Sequence, residues 1–261
     1  MKILLSNGSF YHLSCEKVAH LAKEAGFDGL ALMITREFEG CNEKQLVEKC
    51  QKILPVLSVH SPFLALRNWG DPIDKIKRSV ELCLANGIPL LTFHPPAWLF
   101  LEVEFSVWFA RIRDFQKEIG KDKVMVSLEN MSRLKKYLCD PHLLSTTESL
   151  IDFMKKRNLY LSFDSSHMGT KKMDFLEDFN RLYQTGKVKQ VQYSDYQEGH
   201  EHLIPGRGVL PLQKLLQYLI EKNYSETLSI ELFPEEFPKE EGAIVEALRE
   251  ILWEIRTQVS S

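Results

Sequence analysis

VMVSLE (Val124–Glu129) and LYLSFD (Leu159–Asp164) decide how this chain folds. Each is a short apolar run that stops on a carboxylate. Four more segments have the same form: VLSVH ends at His60, LLTFH at His94, VKQVQ at Gln192 and TLSIE at Glu231. The endings recur at intervals of roughly 35 residues, which is room for one strand, one loop and one helix, the length of a βαβ step. In a β/α barrel all strand C-termini emerge on one face, and the chemistry is kept there. The spacing therefore predicts a fold and a site together.

Working outward, eight runs read as strands: Lys2–Ser6, Leu30–Ile34, Val56–His60, Leu90–His94, Val124–Glu129, Tyr160–Asp164, Val188–Tyr193 and Thr227–Glu231. Each precedes a segment of helical periodicity, in turn Cys15–Ala25, Glu43–Ile53, Pro72–Asn86, Glu104–Ile119, Thr147–Arg157, Asp174–Tyr183, Pro211–Lys222 and a helix within Glu240–Gln258. Asp71 is placed to cap the third helix, Pro72 suits its first turn, and Gly87 suits its exit. Strands rich in Val, Ile, Leu and Phe that alternate with helices predict a parallel sheet covered on its outer face. The expected class is α/β, a single (β/α)8 TIM barrel over residues 1–261, with no Ser/Gly linker to divide it. A doubly wound open sheet is the alternative. It would collect ligands at one switch point and would not need polar endings on six strands.

Composition sets limits. The chain has 261 residues, 44% of them hydrophobic and 26% charged, with a net charge of −3. That length suits one barrel, and the charge offers no general basic field for nucleic acid, though a local groove can exist on an acidic protein. Cys15, Cys41, Cys50, Cys83 and Cys139 contain no CxxC and read as free thiols, with Cys83 expected in a helix core. No apolar stretch approaches the roughly 18 residues needed to span a bilayer. The expectation is a cytoplasmic protein without a membrane partner.

Glu129, Asp164, Gln192 and Glu231 end the fifth to eighth strands and supply oxygen donors, which suit Mg²⁺ or Mn²⁺; added imidazoles would suit Zn²⁺ better. A single acid at a strand end is usually a cap or an ion-pair partner, but four in register are hard to explain that way. His60 and His94 end strands three and four, His167 follows Asp164 by three residues, and His200 and His202 lie in the loop GHEHLIPGRG. Together they would form an imidazole-rich rim. His12, His20 and His142 follow no strand-end pattern and read as structural. In PGRG (Pro205–Gly208), backbone N–H groups and Arg207 could contact a phosphate or a sugar, although an ordinary turn needs the same glycines. Trp69 and Trp98 could stack on a sugar face or simply pack.

Taken in order, H60-S-P-F, H94-P-P, S-L-E129-N, F-D164-x-x-H167, V-Q192-Y-S-D195, H202-x-x-x-G206-x-G208 and I-E231-L-F-P resemble the xylose-isomerase-like TIM-barrel superfamily. That group includes sugar isomerases and epimerases, some dehydratases and endonuclease IV-type apurinic/apyrimidinic endonucleases. The resemblance to the isomerase branch implies one divalent cation, Mn²⁺ or Mg²⁺ first and Zn²⁺ or Co²⁺ next, held by Glu129, Asp164, Gln192 and Glu231. It implies a sugar or sugar-phosphate isomerase or epimerase working through an enediolate, with Glu129 and Glu231 as acid and base. His60, His94, His167, His200 and His202 would then bind substrate or a second metal, with weaker contacts from Trp98 and Arg207. A homo-oligomer is compatible with the pattern.

The endonuclease branch implies three zinc ions and a nucleic-acid substrate. Here Gln192 stands where that branch has His, His200 where it has Asp, and Phe63 where it has Tyr. Arg67, Arg133, Lys135, Lys136, Lys171 and Lys172 would have to supply its basic groove.

Overall fold

The computed structural model describes residues 1–134, 140–171 and 174–259. Eight parallel strands close into a barrel: β1 (Lys2–Ser6), β2 (Gly29–Met33), β3 (Val56–His60), β4 (Leu90–Phe93), β5 (Met125–Glu129), β6 (Tyr160–Asp164), β7 (Val188–Gln192) and β10 (Thr227–Ile230). Each pairs with its neighbours in sequence order, and β1 closes the ring on β10. This is the (β/α)8 arrangement expected from the strand spacing. The open-sheet alternative falls with the closure.

Helices cover the outside: α1 (Cys15–Ala25), α2 (Glu43–Ile53), α3 (Pro72–Asn86), α4 (Val103–Arg111), α5 (Phe115–Glu118), α6 (Thr147–Arg157), α7 (Ser165–Gly169), α8 (Phe175–Tyr183), α9 (Leu212–Glu221) and α10 (Glu241–Val259). Asp71 caps α3 by accepting the N–H groups of Ile73 and Asp74, and Gly87 ends it in the left-handed conformation with φ +65°. The single helix expected over Glu104–Ile119 is two pieces. Ile112 is extended, and Asp114 accepts the N–H groups of Gln116 and Lys117, so a second helix starts where the first was expected to continue.

Two features were not foreseen. Asp164 caps α7 directly from the end of β6, and β8 (Asp195–Gln197) pairs with β9 (His200–Leu203) as an antiparallel ribbon beside the barrel mouth.

Alternate strand residues face the barrel axis. One interior layer is polar: Thr92 Oγ1 lies 2.7 Å from Ser162 Oγ and 3.1 Å from Ser127 Oγ, and Gln190 Nε2 donates to Ser58 Oγ at 3.0 Å. Each of these residues stands two positions before one of the strand endings. The same alternation therefore aims His60, His94, Glu129, Asp164 and Gln192 into the mouth, one layer higher. Outward residues such as Val126, Leu128, Leu161 and Phe163 are fully buried under the helices, as is Cys83. Cys139 lies outside the described residues.

Candidate metal centre and active site

Glu129 is the hub. It is 3% exposed, and three imidazoles and one amide surround it. His60 Nε2 lies 2.8 Å from Oε2, His167 Nδ1 3.0 Å from Oε1, and His94 Nε2 3.7 Å from Oε2. Gln192 turns its NH₂ toward both glutamates, 3.3 Å from Glu129 Oε2 and 3.5 Å from Glu231 Oε2. Burial opposes ionisation of Glu129, but the electrostatic influence of the surrounding imidazoles, His94 first, and hydrogen bonds from His167 and His60 hold its carboxyl well below the usual range. Burial pushes the Glu231 carboxyl up; His202 opposes that and Glu129 adds to it.

The histidine protonation follows from contacts. His60 Nδ1 donates to the Ser61 carbonyl oxygen at 2.8 Å while Nε2 faces Glu129. Burial opposes a charge on the ring, but the Glu129 contacts raise the His60 pKa. His167 lies between Glu129 and Asp164. Burial disfavours its charge, yet Asp164, the Glu129 hydrogen bond and Glu201 together raise its pKa to about 10. His94, buried among other imidazoles, falls to about 3 and is neutral.

Asp164 is fully buried. Its Oδ1 accepts the His167 N–H and the Ser166 hydroxyl, both at 2.8 Å. Among the described residues, its Oδ2 has no hydrogen-bond partner, and neither has Gln192 Oε1. Buried oxygens are almost always paired in native proteins, so unpaired ones call for an explanation. Two of them on the residues singled out as cation ligands fit a hard-cation site, because carboxylate and amide oxygens are its donors. Donor atoms also converge in two triads, His60 with His94 and Glu129, and Asp164 with His167 and His202. His202 Nδ1 lies 3.2 Å from the Glu231 carbonyl oxygen. Like His60, it thus commits Nδ1 to a backbone carbonyl and leaves Nε2 for the cluster, the arrangement typical of ligating histidines.

The remaining expected residues divide. His200 is exposed, while its neighbour Glu201, passed over in the sequence, points inward with Oε2 3.6 Å from His167 Nε2. His202 has φ +54°, a left-handed conformation that breaks strand alternation, so Glu201 and His202 both turn to the site. Arg207 is exposed and paired with Glu236 at 3.2 Å. The PGRG turn has no amides to spare. Gly206 and Gly208 donate theirs to Asp195 Oδ2 at 2.9 and 3.0 Å, which replaces the phosphate reading with a structural one. Trp98 is half exposed and donates its indole N–H to the Asp140 carbonyl, whereas Trp69 is buried in the core. His142, read from sequence as structural, has its ring 6.4 Å from that of His94, and burial lowers its pKa to about 4.

Among the loop cations, Lys171 reaches the Ser145 carbonyl and Asp140, and Arg67 is exposed. Lys135, Lys136 and Lys172 lie outside the described residues.

The sequence family model for the xylose isomerase-like TIM barrel matches residues 19–252. The chain belongs to that family. An uncharacterized protein of Mycobacterium leprae (strain TN) is 28% identical over 254 residues, covering 89% of each chain. Among solved structures, an L-ribulose 3-epimerase superposes with a TM-score of 0.72 at 16% identity, covering 99% of this chain and 94% of that one. An AP endonuclease, family 2, from Brucella melitensis gives 0.72 at 15% identity, covering 93% and 96%. At such identities the likeness shows the fold. This family member therefore has to be read from its own site residues. No helix among the described residues is long and apolar enough to cross a membrane.

Proposed function

We propose that this chain is a divalent-cation-dependent epimerase or isomerase of ketoses, either free sugars or sugar phosphates. The observation that carries the reading is the pair of buried oxygens without partners, Asp164 Oδ2 and Gln192 Oε1, beside Glu129 and Glu231. Glu129, Asp164, Gln192 and Glu231 would hold the cation, an oxygen-donor set suited to Mn²⁺ or Mg²⁺. Bound there, a divalent cation supplies Lewis acidity to a carbonyl and its neighbouring hydroxyl.

The chain's own groups do the rest. Glu129 and Glu231 are joined through the Gln192 amide, and between them they move the proton alpha to the carbonyl, one as base and the other as acid. His167, cationic and held by Glu129 and the Asn130 carbonyl, orients a substrate oxygen. The epimerase among the structural neighbours supports the choice of substrate class.

The test is solvent exchange. The Mn²⁺-loaded protein is incubated in D₂O with a panel of ketoses that includes L-ribulose and D-fructose. Deuterium should appear at the carbon next to the carbonyl of at least one, stop on chelation, and resume when Mn²⁺ is restored. No incorporation in any ketose, with cleavage of an abasic-site oligonucleotide instead, would overturn the reading.

That second outcome corresponds to the one competing reading with an observation in its favour. His60 and His202 are set up as ligating imidazoles, which suits several zinc ions and phosphodiester hydrolysis. The amide at Gln192 and the outward His200 count against it, because neither supplies the zinc ligand that chemistry needs.

A further inference from the structure

A cavity of about 290 Å³ opens beside the candidate site, between the β3–α3 and β4–α4 loops. His94 belongs to both places: it lines this cavity, and its Nε2 lies 3.7 Å from Glu129 Oε2. The walls are largely apolar, with Phe63, Phe93, Pro95 and Phe105 among them. Phe63 stacks on His94, with ring centroids 5.1 Å apart.

Two charged residues interrupt these walls, Lys75 and Glu102. Lys75, in the first turn of α3, is only 8% exposed. Its ammonium donates to the Leu64 carbonyl oxygen at 2.9 Å and forms no ion pair among the described residues. The charges of Glu102, in the same lining, and of Asp71 reach it from beyond ion-pair distance; Glu102 accepts the Ala97 N–H and Asp71 the N–H groups of Ile73 and Asp74. An ammonium has three donors, so two are left for a ligand. A buried cation without a direct ion-pair partner is costly, and apolar surroundings strengthen its attraction for an anion. His142 lines the same cavity, and its buried Nδ1 has no partner among the described residues.

We infer that this cavity receives the anionic end of the substrate, a carboxylate or a phosphate, with Lys75 as its counter-charge, while the ketose end lies at Glu129. The inference rests on the epimerase reading and narrows it from sugars in general to acidic sugars. Carboxylate and phosphate share the chemistry Lys75 would recognise, and the experiment separates them.

Binding of D-fructose, D-fructuronate and D-fructose 6-phosphate to the Mn²⁺-loaded protein is measured by calorimetry, for the wild type, Lys75→Met and Lys75→Arg. At least one acidic sugar should bind tenfold or more tightly than D-fructose. Lys75→Met should erase that difference, and Lys75→Arg should keep most of it. Which acid gains identifies carboxylate or phosphate as the natural group. Equal affinities for all three sugars, a preference that survives Lys75→Met, or binding of none would overturn the inference. Its failure is separable from failure of the wider reading, because proton exchange on a neutral ketose would continue with the charge preference absent.

Discussion

Glu129→Gln and Glu231→Gln are each expected to abolish deuterium exchange into a ketose, a loss of about a thousandfold or more, since each removes one side of a proton-transfer pair. Their stabilities should differ. Both oxygens of Glu129 face donors, His60 Nε2 at 2.8 Å and His167 Nδ1 at 3.0 Å. A glutamine there removes the charge that both imidazoles face, and a hydrogen bond to a charged group is worth about 1.5–3 kcal/mol. Among the described residues, the Glu231 carboxylate meets only the long 3.5 Å contact from Gln192, so Glu231→Gln should melt within about a degree or two of the wild type. Circular dichroism melting and mass-spectrometric detection of deuterium read the two effects separately. Full exchange in either folded variant would remove that glutamate from the reaction.

The second large effect is linkage between cation binding and folding. A ligand that binds only the folded state at a hundred times its dissociation constant stabilises by about 2.7 kcal/mol. For a chain of this size that is a rise of roughly 5–10 °C in Tm. Mn²⁺ should produce such a rise in the wild type and little or none in Asp164→Asn. The variant is clean because asparagine keeps an Oδ1 to accept the Ser166 hydroxyl and the His167 N–H. Only the unpartnered Oδ2 is exchanged, for an NH₂ that cannot ligate. An equal Tm rise in both proteins would place the cation elsewhere.

Much of this was legible in the sequence because a parallel barrel turns a one-dimensional repeat into a ring. Once VLSVH, LLTFH, VMVSLE, LYLSFD, VKQVQ and TLSIE are strands, their last residues must share one face. A further sign in the same six segments went unused. Ser58, Thr92, Ser127, Ser162, Gln190 and Ser229 each stand two residues before the ending. That polar-x-polar step marks both residues as inward-facing, and five of the six are joined in the hydroxyl and amide network inside the barrel.

What could not be read lies in the loops. Glu201 enters the site because His202 adopts a left-handed conformation, which residue type does not announce. Gly206 and Gly208 resemble a phosphate turn until Asp195, eleven residues earlier for the first of them, takes their amides. The neighbourhood of Lys75 and His94 depends on how two separate βα loops pack, and spacing along one chain gives no access to that.

The most direct measurement is an anomalous difference map, at the manganese absorption edge, from a crystal soaked in Mn²⁺. The expected result is one strong peak per chain, at roughly 2.0–2.3 Å from carboxylate or amide oxygens of Glu129, Asp164, Gln192 and Glu231. A map with no peak among these four residues, or with density only at His60 and His94 or at His167 and His202, would contradict the proposed centre.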